Sequence, residues 1–383
     1  MDRELILRLE PGGIRAIAPE SWDRCAGTDD PFLSHAFLSA LEESGSVGPD
    51  TGWRPLPLLA EREADGALLA CAPAYVKMHS QGEYVFDHAW ADAWERTGRA
   101  YYPKLQVSVP FTPVTGRRLL AGEGEDAGRL ALALIQGMEE LVRQNELSSA
   151  HVTFIAPEQV PLFEEAGWLL REDSQFHWQD EGYGDFQGFL AALSSDKRKN
   201  LRKERAKAQA GLEIVHLTGD AIRPEHWDAF WQFYQDTGAR KWGQPYLTRE
   251  FFDLVGATMA DRTLLILALR GGVPIAGALN FIGADVLYGR YWGCIEDVPF
   301  LHFELCYYQA IDFALAHGLS RVEAGAQGGH KLVRGYRPVP TWSAHYIDDP
   351  HFRCAVAGFL TQERDSVQQD RQWMGAHTPF RKE

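Results

Sequence analysis

The order of predicted helices and strands occurs twice along the 383-residue chain, and this repetition constrains the fold more than any other feature. The second half gives two helices, a three-stranded meander, a helix and a short strand, over residues 225–237, 248–260, 263–270, 273–282, 286–293, 299–317 and 320–324. The first half gives a helix, two strands joined by a turn, a third strand, a helix and a strand, over residues 31–44, 54–62, 67–77, 101–111, 126–144 and 149–155. Runs of strands flanked by helices predict the α+β class, with a mixed, mostly antiparallel sheet in each half.

The length of the chain predicts two domains, over residues 1–185 and 186–383, with a basic helix over 194–210 at the start of the second. No run of 18 apolar residues occurs, and the N-terminal residues do not resemble a signal peptide, so we expect a cytoplasmic protein. The five cysteines are an odd number and are widely spaced, without a CxxC pair. They predict reduced thiols and no metal site.

The segment 194–211 concentrates positive charge in a chain whose formal net charge is −15. Its seven basic residues are Lys197, Arg198, Lys199, Arg202, Lys203, Arg205 and Lys207, against two acidic ones. Such a local excess indicates an anionic partner, such as a phosphate, a nucleotide or an acidic carrier protein. We take Lys197, Arg198 and Arg202 as candidate anion-binding residues; the alternative is a solvated helix of mixed charge.

Three segments of the second half resemble the Fem-type aminoacyltransferases, namely KRKNLRKERAKAQAGLEI, RYWGCIEDVPFLHFELCYYQAIDFALAHGL and VEAGAQGGHKLVRGYRP. The first half, with YVFDHAWADAWERTGRAYYPKLQVSVPFTPVTGRRLL, is similar to a bacterial branch of peptidoglycan biosynthesis or recognition proteins. The resemblance implies tandem GNAT-like domains, which share the acyl-CoA N-acyltransferase fold. It further implies transfer of an acyl or aminoacyl group to a substrate amine, with a cell-wall precursor as one candidate acceptor.

The resemblance leaves three donors open, all as cosubstrates rather than tightly bound cofactors: aminoacyl-tRNA, acyl carrier protein and acyl-CoA. Coenzyme A is disfavoured because the loop 294–299 lacks glycine and carries two carboxylates, and because acidic residues surround Gly122 and Gly124. An acidic carrier protein would fit the basic helix. A further alternative is a non-catalytic GNAT pair that binds a peptidoglycan precursor or a protein partner.

Amide formation requires proton removal from the amine and stabilisation of an oxyanion. Glu323 and His302 are the first candidates for proton removal, and Glu304 and Tyr308 share one helix face at i and i+4. The alternative role for His302 is a surface or capping group.

Candidate substrate-binding residues fall in four groups. In the glycine-rich loop and just after it, Gln327, His330, Lys331 and Arg334 suit a phosphate or carboxylate, although glycines there also suit a tight turn. Arg290 and Trp292 share a strand face, with Glu323 as the expected partner of Arg290. A loop that contains Arg240, Lys241 and Trp242 fits either an aromatic or anionic ligand or the packing of one helix on the next. The last group, Lys104, Gln106 and Ser108, forms one face of a strand. This face either contacts the acceptor in an interdomain cleft or faces solvent.

Overall fold

The chain folds into two compact units in the computed structural model, which describes residues 5–122, 124, 126–241, 245–325 and 328–381. Unit 1 contains Met1–Asp173 and Pro340–Gln369, and unit 2 contains Ser174–Val339 and Asp370–Glu383. Each unit therefore combines two stretches of the chain. The first change of unit comes before the domain border that the sequence predicts at 185/186.

The elements up to the first change of unit are mostly short. In chain order they are β1 (Leu5–Leu9), α1 (Pro19–Ala26), α2 (His35–Glu43), β2 (Trp53–Pro55), β3 (Leu58–Arg62), β4 (Leu68–Ala72), β5 (Ala74–Lys77), α3 (His88–Glu95), β6 (Lys104–Val107), β7 (Leu120–Ala121), α4 (Ala127–Gln144), β8 (Ser149–Ile155), α5 (Val160–Glu165) and β9 (Leu169–Gln179). The chain passes from unit 1 to unit 2 within β9.

The remaining elements are α6 (Phe186–Ala192), α7 (Ser195–Gln209), β10 (Glu213–Leu217), α8 (Pro224–Lys241), α9 (Arg249–Thr258), β11 (Thr263–Arg270), β12 (Val273–Ile282), β13 (Val286–Cys294), α10 (Leu301–Phe303), α11 (Gln309–His317), β14 (Arg321–Glu323), β15 (Arg337–Ile347) and α12 (Pro350–Ala376). The predicted basic helix is confirmed as α7, and the predicted meander as β11, β12 and β13. None of the helices in the described part of the chain is long and apolar enough to cross a membrane.

Unit 1 contains a four-stranded antiparallel sheet in the order β1-β3-β4-β7, and a second set of strands in the order β15-β8-β6-β5-β2. In the second set, β6 and β8 are parallel. Strand alternation places Leu105 and Val107 in the apolar core with residues of α4, so Lys104 and Gln106 lie on the opposite face. That opposite face is polar and nevertheless buried.

The sheet of unit 2 has the order β10-β11-β12-β13-β14, followed by the last residues of β9. β13 and β14 are parallel but pair only over three residues, from Val286 with Arg321 to Tyr288 with Glu323. Beyond Tyr288, β13 continues to Cys294, whereas β14 ends. The two strands therefore part at the place where GNAT-type sites usually lie.

The helix predicted from Pro299 begins at Leu301 and contains a π-helical turn over Glu304–Tyr308 between α10 and α11. Phe300, just before it, has a φ of 68°, in the left-handed region that non-glycine residues rarely adopt. The helix ends at Gly318, which is left-handed as the sequence predicts. Because π turns in helices are frequent at functional sites, this turn directs attention to its neighbours.

Candidate functional site

Lys331 is a buried lysine beside the end of β14. The residue is 1% exposed, and Lys331 Nζ donates a hydrogen bond to the carbonyl oxygen of Gly325 at 2.7 Å. Among the described residues, no carboxylate oxygen lies within ion-pair distance of this nitrogen. Burial, with a further contribution from the positive charge of Arg290, lowers the pKa of Lys331 to about 7. Lys331 can therefore exchange a proton near neutral pH.

An aromatic cluster lies next to Lys331 and consists of Trp292, His302, Phe303, Tyr307 and His330. The ring of His302 is 5.2 Å from that of Trp292 and 5.5 Å from that of Tyr307, centroid to centroid. The Tyr307 hydroxyl is 2.9 Å from His330 Nε2, and burial raises the pKa of Tyr307. When His330 Nε2 carries the hydrogen and donates it to the Tyr307 hydroxyl, Nδ1 of the exposed His330 ring is unprotonated and can accept a proton.

Arg334 connects this cluster to α7. Its Nη2 is 2.9 Å from Glu204 Oε2, its Nη1 donates to the carbonyl oxygen of His330, and its guanidinium lies 3.4 Å from the centre of the Phe303 ring. Tyr308 donates to the same carboxylate of Glu204 at 2.6 Å. The geometry gives Arg334 and Tyr308 a role in fixing the position of His330; their predicted roles in binding and catalysis stay predictions.

Glu304 lies in a second network on the same side of α7. It is fully buried, and its carboxylate accepts hydrogen bonds from Arg205, Gln209 and Gln309. Arg205 also forms an ion pair with Asp312 at 2.6 Å. These contacts attach α7 to the π turn and α11, so Glu304 has an evident structural role, and its predicted catalytic role stays a prediction.

Glu323 occupies the last position of β14 and is 3% exposed. Its carboxylate lies 3.0 Å from Arg321 and 3.6 Å from His177 Nε2. Burial lowers the pKa of His177 to about 3, so this histidine is neutral at physiological pH. The structure thus pairs Glu323 with Arg321, and the pairing with Arg290 that the sequence predicts stays a prediction.

The basic residues of α7 divide into inward and outward sets. Leu201 and Ala208 are buried, and Glu204 and Arg205 make the contacts described above. On the outward side, a groove of about 320 Å³ is lined by Ser195, Arg198, Lys199, Arg202, Lys203 and Ala206. Two of the three predicted anion-binding residues, Arg198 and Arg202, therefore line one groove, whereas Lys197 lies outside its lining.

Unit 1 contains a separate buried polar cluster around Lys104. Lys104 Nζ donates to Glu83 at 2.7 Å, to Asp87 at 2.5 Å and to Ser80 at 2.8 Å. Lys104 and Gln106 are 0% exposed and Ser108 is 2% exposed, so the alternative of a solvent-facing strand is wrong. Gln106 donates to Thr153 at 3.0 Å, whereas Ser108 Oγ has no hydrogen-bond partner among the described residues.

Two histidines extend this cluster across β8 and β15, and the sequence analysis missed them. His151 and His345 face each other with their Nδ1 atoms 2.7 Å apart, and Tyr101 donates to Asp87. Burial and the charge of Lys104 lower the pKa of His151 to about 3, and burial also holds the pKa of His345 well below its usual value. The available signal was the alternation of polar residues in otherwise apolar strands.

Some predicted site residues cannot be assigned positions. Trp242 and Gln327 lie outside the described residues, as do the side chains of Arg240 and Lys241. The structure therefore brings together His302, His330, Lys331, Arg334 and Trp292 in unit 2, and Lys104, Gln106 and Ser108 separately in unit 1.

Comparison with known proteins agrees with this architecture. The model of the FemAB-like family, described as peptidoglycan biosynthesis/recognition, matches residues 13–382, and no curated protein matches the chain. L-PGS from Bacillus licheniformis is similar in structure, with a TM-score of 0.51 and 12% identity over 87% of this chain and 98% of that chain. FemX has a TM-score of 0.54 and 11% identity over 89% of this chain and 98% of that chain. A conserved protein of unknown function from Bacteroides thetaiotaomicron has a TM-score of 0.51 and 11% identity, over 89% of this chain and all of that one.

These similarities in structure concern the fold, and they confirm the predicted tandem GNAT-like architecture of mixed, mostly antiparallel sheets flanked by helices. The family match covers both the Lys331 region and the Lys104 region. The chain belongs to the FemAB-like family, which is described by peptidoglycan biosynthesis or recognition.

Proposed function

We propose that unit 2 forms an amide bond between an activated acyl or aminoacyl donor and a substrate amine, next to Lys331 at the end of β14. The observation that carries this proposal is a buried lysine with a pKa of about 7 and no carboxylate within ion-pair distance among the described residues. Burying a cation without a counter-ion is costly, so proteins keep such groups mainly where chemistry uses them.

In this reaction the amine nitrogen attacks the carbonyl carbon of the donor ester or thioester. A carbon–nitrogen bond forms, and the carbon–oxygen or carbon–sulfur bond to the carrier breaks. The protonated form of Lys331 stabilises the negative oxygen of the tetrahedral intermediate, and its proton can pass to the leaving group. A pKa of about 7 means that both forms of Lys331 are populated at neutral pH.

We assign removal of the amine proton to His330, which Tyr307 holds through its hydrogen bond. His302, the candidate from the sequence, lies 6.3 Å from His330 between ring centres and is the alternative base in the same cluster. Arg290 and Trp292 would contact the substrate from β13. Glu323 would act through Arg321 and His177, as a positioning residue.

We further propose aminoacyl-tRNA as the donor and a peptidoglycan precursor as the acceptor, in the cytoplasm. The loop after β13 supports this choice over acyl-CoA, because it carries Glu296 and Asp297 and has no glycine to approach a pyrophosphate. Glu296 is also engaged in an ion pair with Arg270 at 3.1 Å. Acyl carrier protein remains the second donor candidate because α7 presents a basic surface. The residues Lys104, Gln106 and Ser108 stay a proposed acceptor contact.

The test is a transfer assay with purified protein, a UDP-linked muropeptide and either radiolabelled aminoacyl-tRNA, acyl carrier protein or acyl-CoA. We expect product with aminoacyl-tRNA. We expect the rate of transfer to fall by about 10²–10⁴-fold in Lys331→Gln, because this variant keeps a polar side chain of similar size and loses the proton that Lys331 exchanges. Turnover with acyl-CoA alone would contradict the donor assignment. Tight precursor binding without turnover from any donor would favour a non-catalytic GNAT pair, and full activity of Lys331→Gln would refute the role of Lys331.

A further inference from the structure

The lysines of this protein are distributed very unevenly. Four of the nine lie in α7: Lys197, Lys199, Lys203 and Lys207. The other lysines whose side chains the structure describes, Lys77, Lys104 and Lys331, are all buried. In the described part of the chain, exposed lysine side chains are therefore confined to one helix of an otherwise acidic protein.

Helical spacing places three of these lysines in one row along the helix, which we call the lysine line. Lys199, Lys203 and Lys207 follow each other at intervals of four residues and are exposed, and Arg202 lies beside them. The opposite side of the helix carries Leu201, Glu204, Arg205 and Ala208, which are buried or paired within unit 2. The lysine line therefore faces solvent and takes no part in the packing of unit 2.

An exposed apolar patch adjoins the end of this line. Lys207 Nζ lies 5.6 Å from the centre of the Phe300 ring, and Phe300 is 37% exposed despite its left-handed backbone. Ile295, in the same loop, is 44% exposed, and Val333 is 38% exposed. Phe300 also contacts Phe303 of the aromatic cluster, with 6.3 Å between ring centres. The contact between Lys207 and Phe300 places the lysine line beside this loop. Glu296, which is paired with Arg270, and Asp297 lie between Ile295 and Phe300, so we assign the phosphate contacts to the lysines and the apolar contacts to Ile295 and Phe300.

We propose that this surface, made of Lys199, Lys203, Lys207, Ile295 and Phe300, docks on an anionic lipid bilayer. Lysines near a bilayer are attracted to anionic headgroups, and exposed apolar side chains beside them gain by entering the interface. Stable docking at a bilayer surface requires two such contributions together, and here Lys207 and Phe300 bring them into contact. The inference rests on the proposed anion-binding role of α7 and names lipid phosphate as the anion; it does not depend on the transfer reaction.

A single-stranded RNA is the rival partner, and the geometry of the rings disfavours it. Bases stack on open aromatic faces, but the guanidinium of Arg334 covers Phe303 at 3.4 Å and Lys207 lies over Phe300. Trp292 and His302 pack edge to face on each other. Ile295 and Val333 are aliphatic, so bases cannot stack on them, whereas both side chains can insert at the boundary between lipid headgroups and acyl chains.

The experiment is co-sedimentation of the full chain with vesicles of equal parts phosphatidylglycerol and phosphatidylcholine, and with pure phosphatidylcholine, without donor or acceptor. We expect binding to the mixed vesicles alone, weakened by salt. The double variant Lys199→Glu with Lys203→Glu should weaken binding at least about tenfold. Ile295→Ser with Phe300→Ser should weaken it several-fold, and lowering the salt concentration should not restore it.

Two matched controls carry the same changes elsewhere. Arg54→Glu with Arg129→Glu reverses two exposed charges of unit 1, and Ile6→Ser with Phe359→Ser removes two exposed apolar side chains of unit 1. Both should bind vesicles like the parent protein. Equal losses in the controls, or vesicle binding unaffected by the α7 variant, would overturn the proposal. Binding of tRNA but not vesicles, lost in the α7 variant, would replace the bilayer by RNA. Because these assays measure binding alone, a failed transfer reaction leaves them interpretable.

Discussion

Lys104 in unit 1 and Lys331 in unit 2 are both buried lysines at polar positions beside a sheet, but their surroundings differ. Lys104 donates to two carboxylates, and their charges raise its pKa against the opposing effect of burial. Within the described residues, Lys331 donates to a backbone carbonyl alone and has Arg290 nearby, and burial lowers its pKa to about 7. The comparison separates a cation that is held in place by its counter-ions from one that is free to change its protonation state.

The carboxylates around Lys104 also differ from each other. The charge of Lys104 and its hydrogen bond outweigh burial and hold the pKa of Asp87 well below its usual range. Burial raises the pKa of Glu83 to about 7 despite the same lysine, and burial lowers the pKa of Lys77, 3.8 Å from Glu83, to about 7. We infer that Lys104 and Asp87 form the ion pair of this cluster.

The largest effect expected from this comparison is on stability. Lys104→Met leaves the Asp87 carboxylate buried without its partner, and we expect the free energy of unfolding to fall by about 3–5 kcal/mol. Lys331→Met removes a buried cation without stranding a carboxylate, so we expect the free energy of unfolding at pH 7 to stay the same or rise. Chemical denaturation measures both. Equal losses in the two variants would remove the distinction between the two lysines.

The second prediction concerns the pH dependence of Lys331. Between pH 7 and 10.5 the unfolded chain keeps a proton on this lysine that the folded protein has lost, so the stability contributed by Lys331 rises with pH in this window. The wild-type protein should therefore gain up to about 1.4 kcal/mol per pH unit relative to Lys331→Met, measured from pH 7 to 9.

Lys77 has a similarly lowered pKa and contributes the same slope to both proteins, so it cancels in this difference. A constant difference between the two proteins across the window would show that Lys331 titrates with an ordinary lysine pKa. In that case its role in proton exchange at neutral pH would be lost, although a role as a fixed positive charge would survive.

A third prediction tests the aromatic cluster beside Lys331. Tyr307→Phe removes the hydroxyl that lies 2.9 Å from His330 Nε2. We expect kcat to fall about tenfold with KM little changed, because the hydrogen bond orients the base rather than binding the substrate. An unchanged kcat would assign the proton transfer to another group, with His302 the next candidate.

Local patterns were sufficient to predict much of the fold. Periodicity placed α4, α7 and the meander, and glycine or threonine identified helix ends at Gly318 and Thr248, where the Thr248 side chain accepts a hydrogen bond from the Phe251 amide. The strand β9 was missed because its buried face carries Gln175 and His177, which a pattern of apolar alternation does not recognise. His177 contacts Glu323, a residue distant in the sequence that no local pattern predicts.

The candidate site was predictable in its residue types but not in its pairings. The i, i+4 spacing singled out Glu304 and Tyr308, yet the π turn adds a residue and brings Tyr307 to His330. The sequence indicated Lys331 as an anion-binding residue, whereas its pKa depends on burial by elements that no local pattern brings together. Charge compensation, which distinguishes Lys104 from Lys331, is likewise a property of tertiary contacts.

The smallest effect is expected at Ser108, on the same strand face as Lys104. Its hydroxyl is buried without a hydrogen-bond partner in the described part of the chain, so Ser108→Ala removes an unsatisfied polar group. We expect the free energy of unfolding to stay the same or rise by up to about 1 kcal/mol. If the hydroxyl instead contacts the acceptor, as proposed from the sequence, the same variant should raise KM for the acceptor several-fold. Measuring stability and KM on this one variant therefore decides whether the buried polar face of unit 1 serves the structure alone or also the substrate.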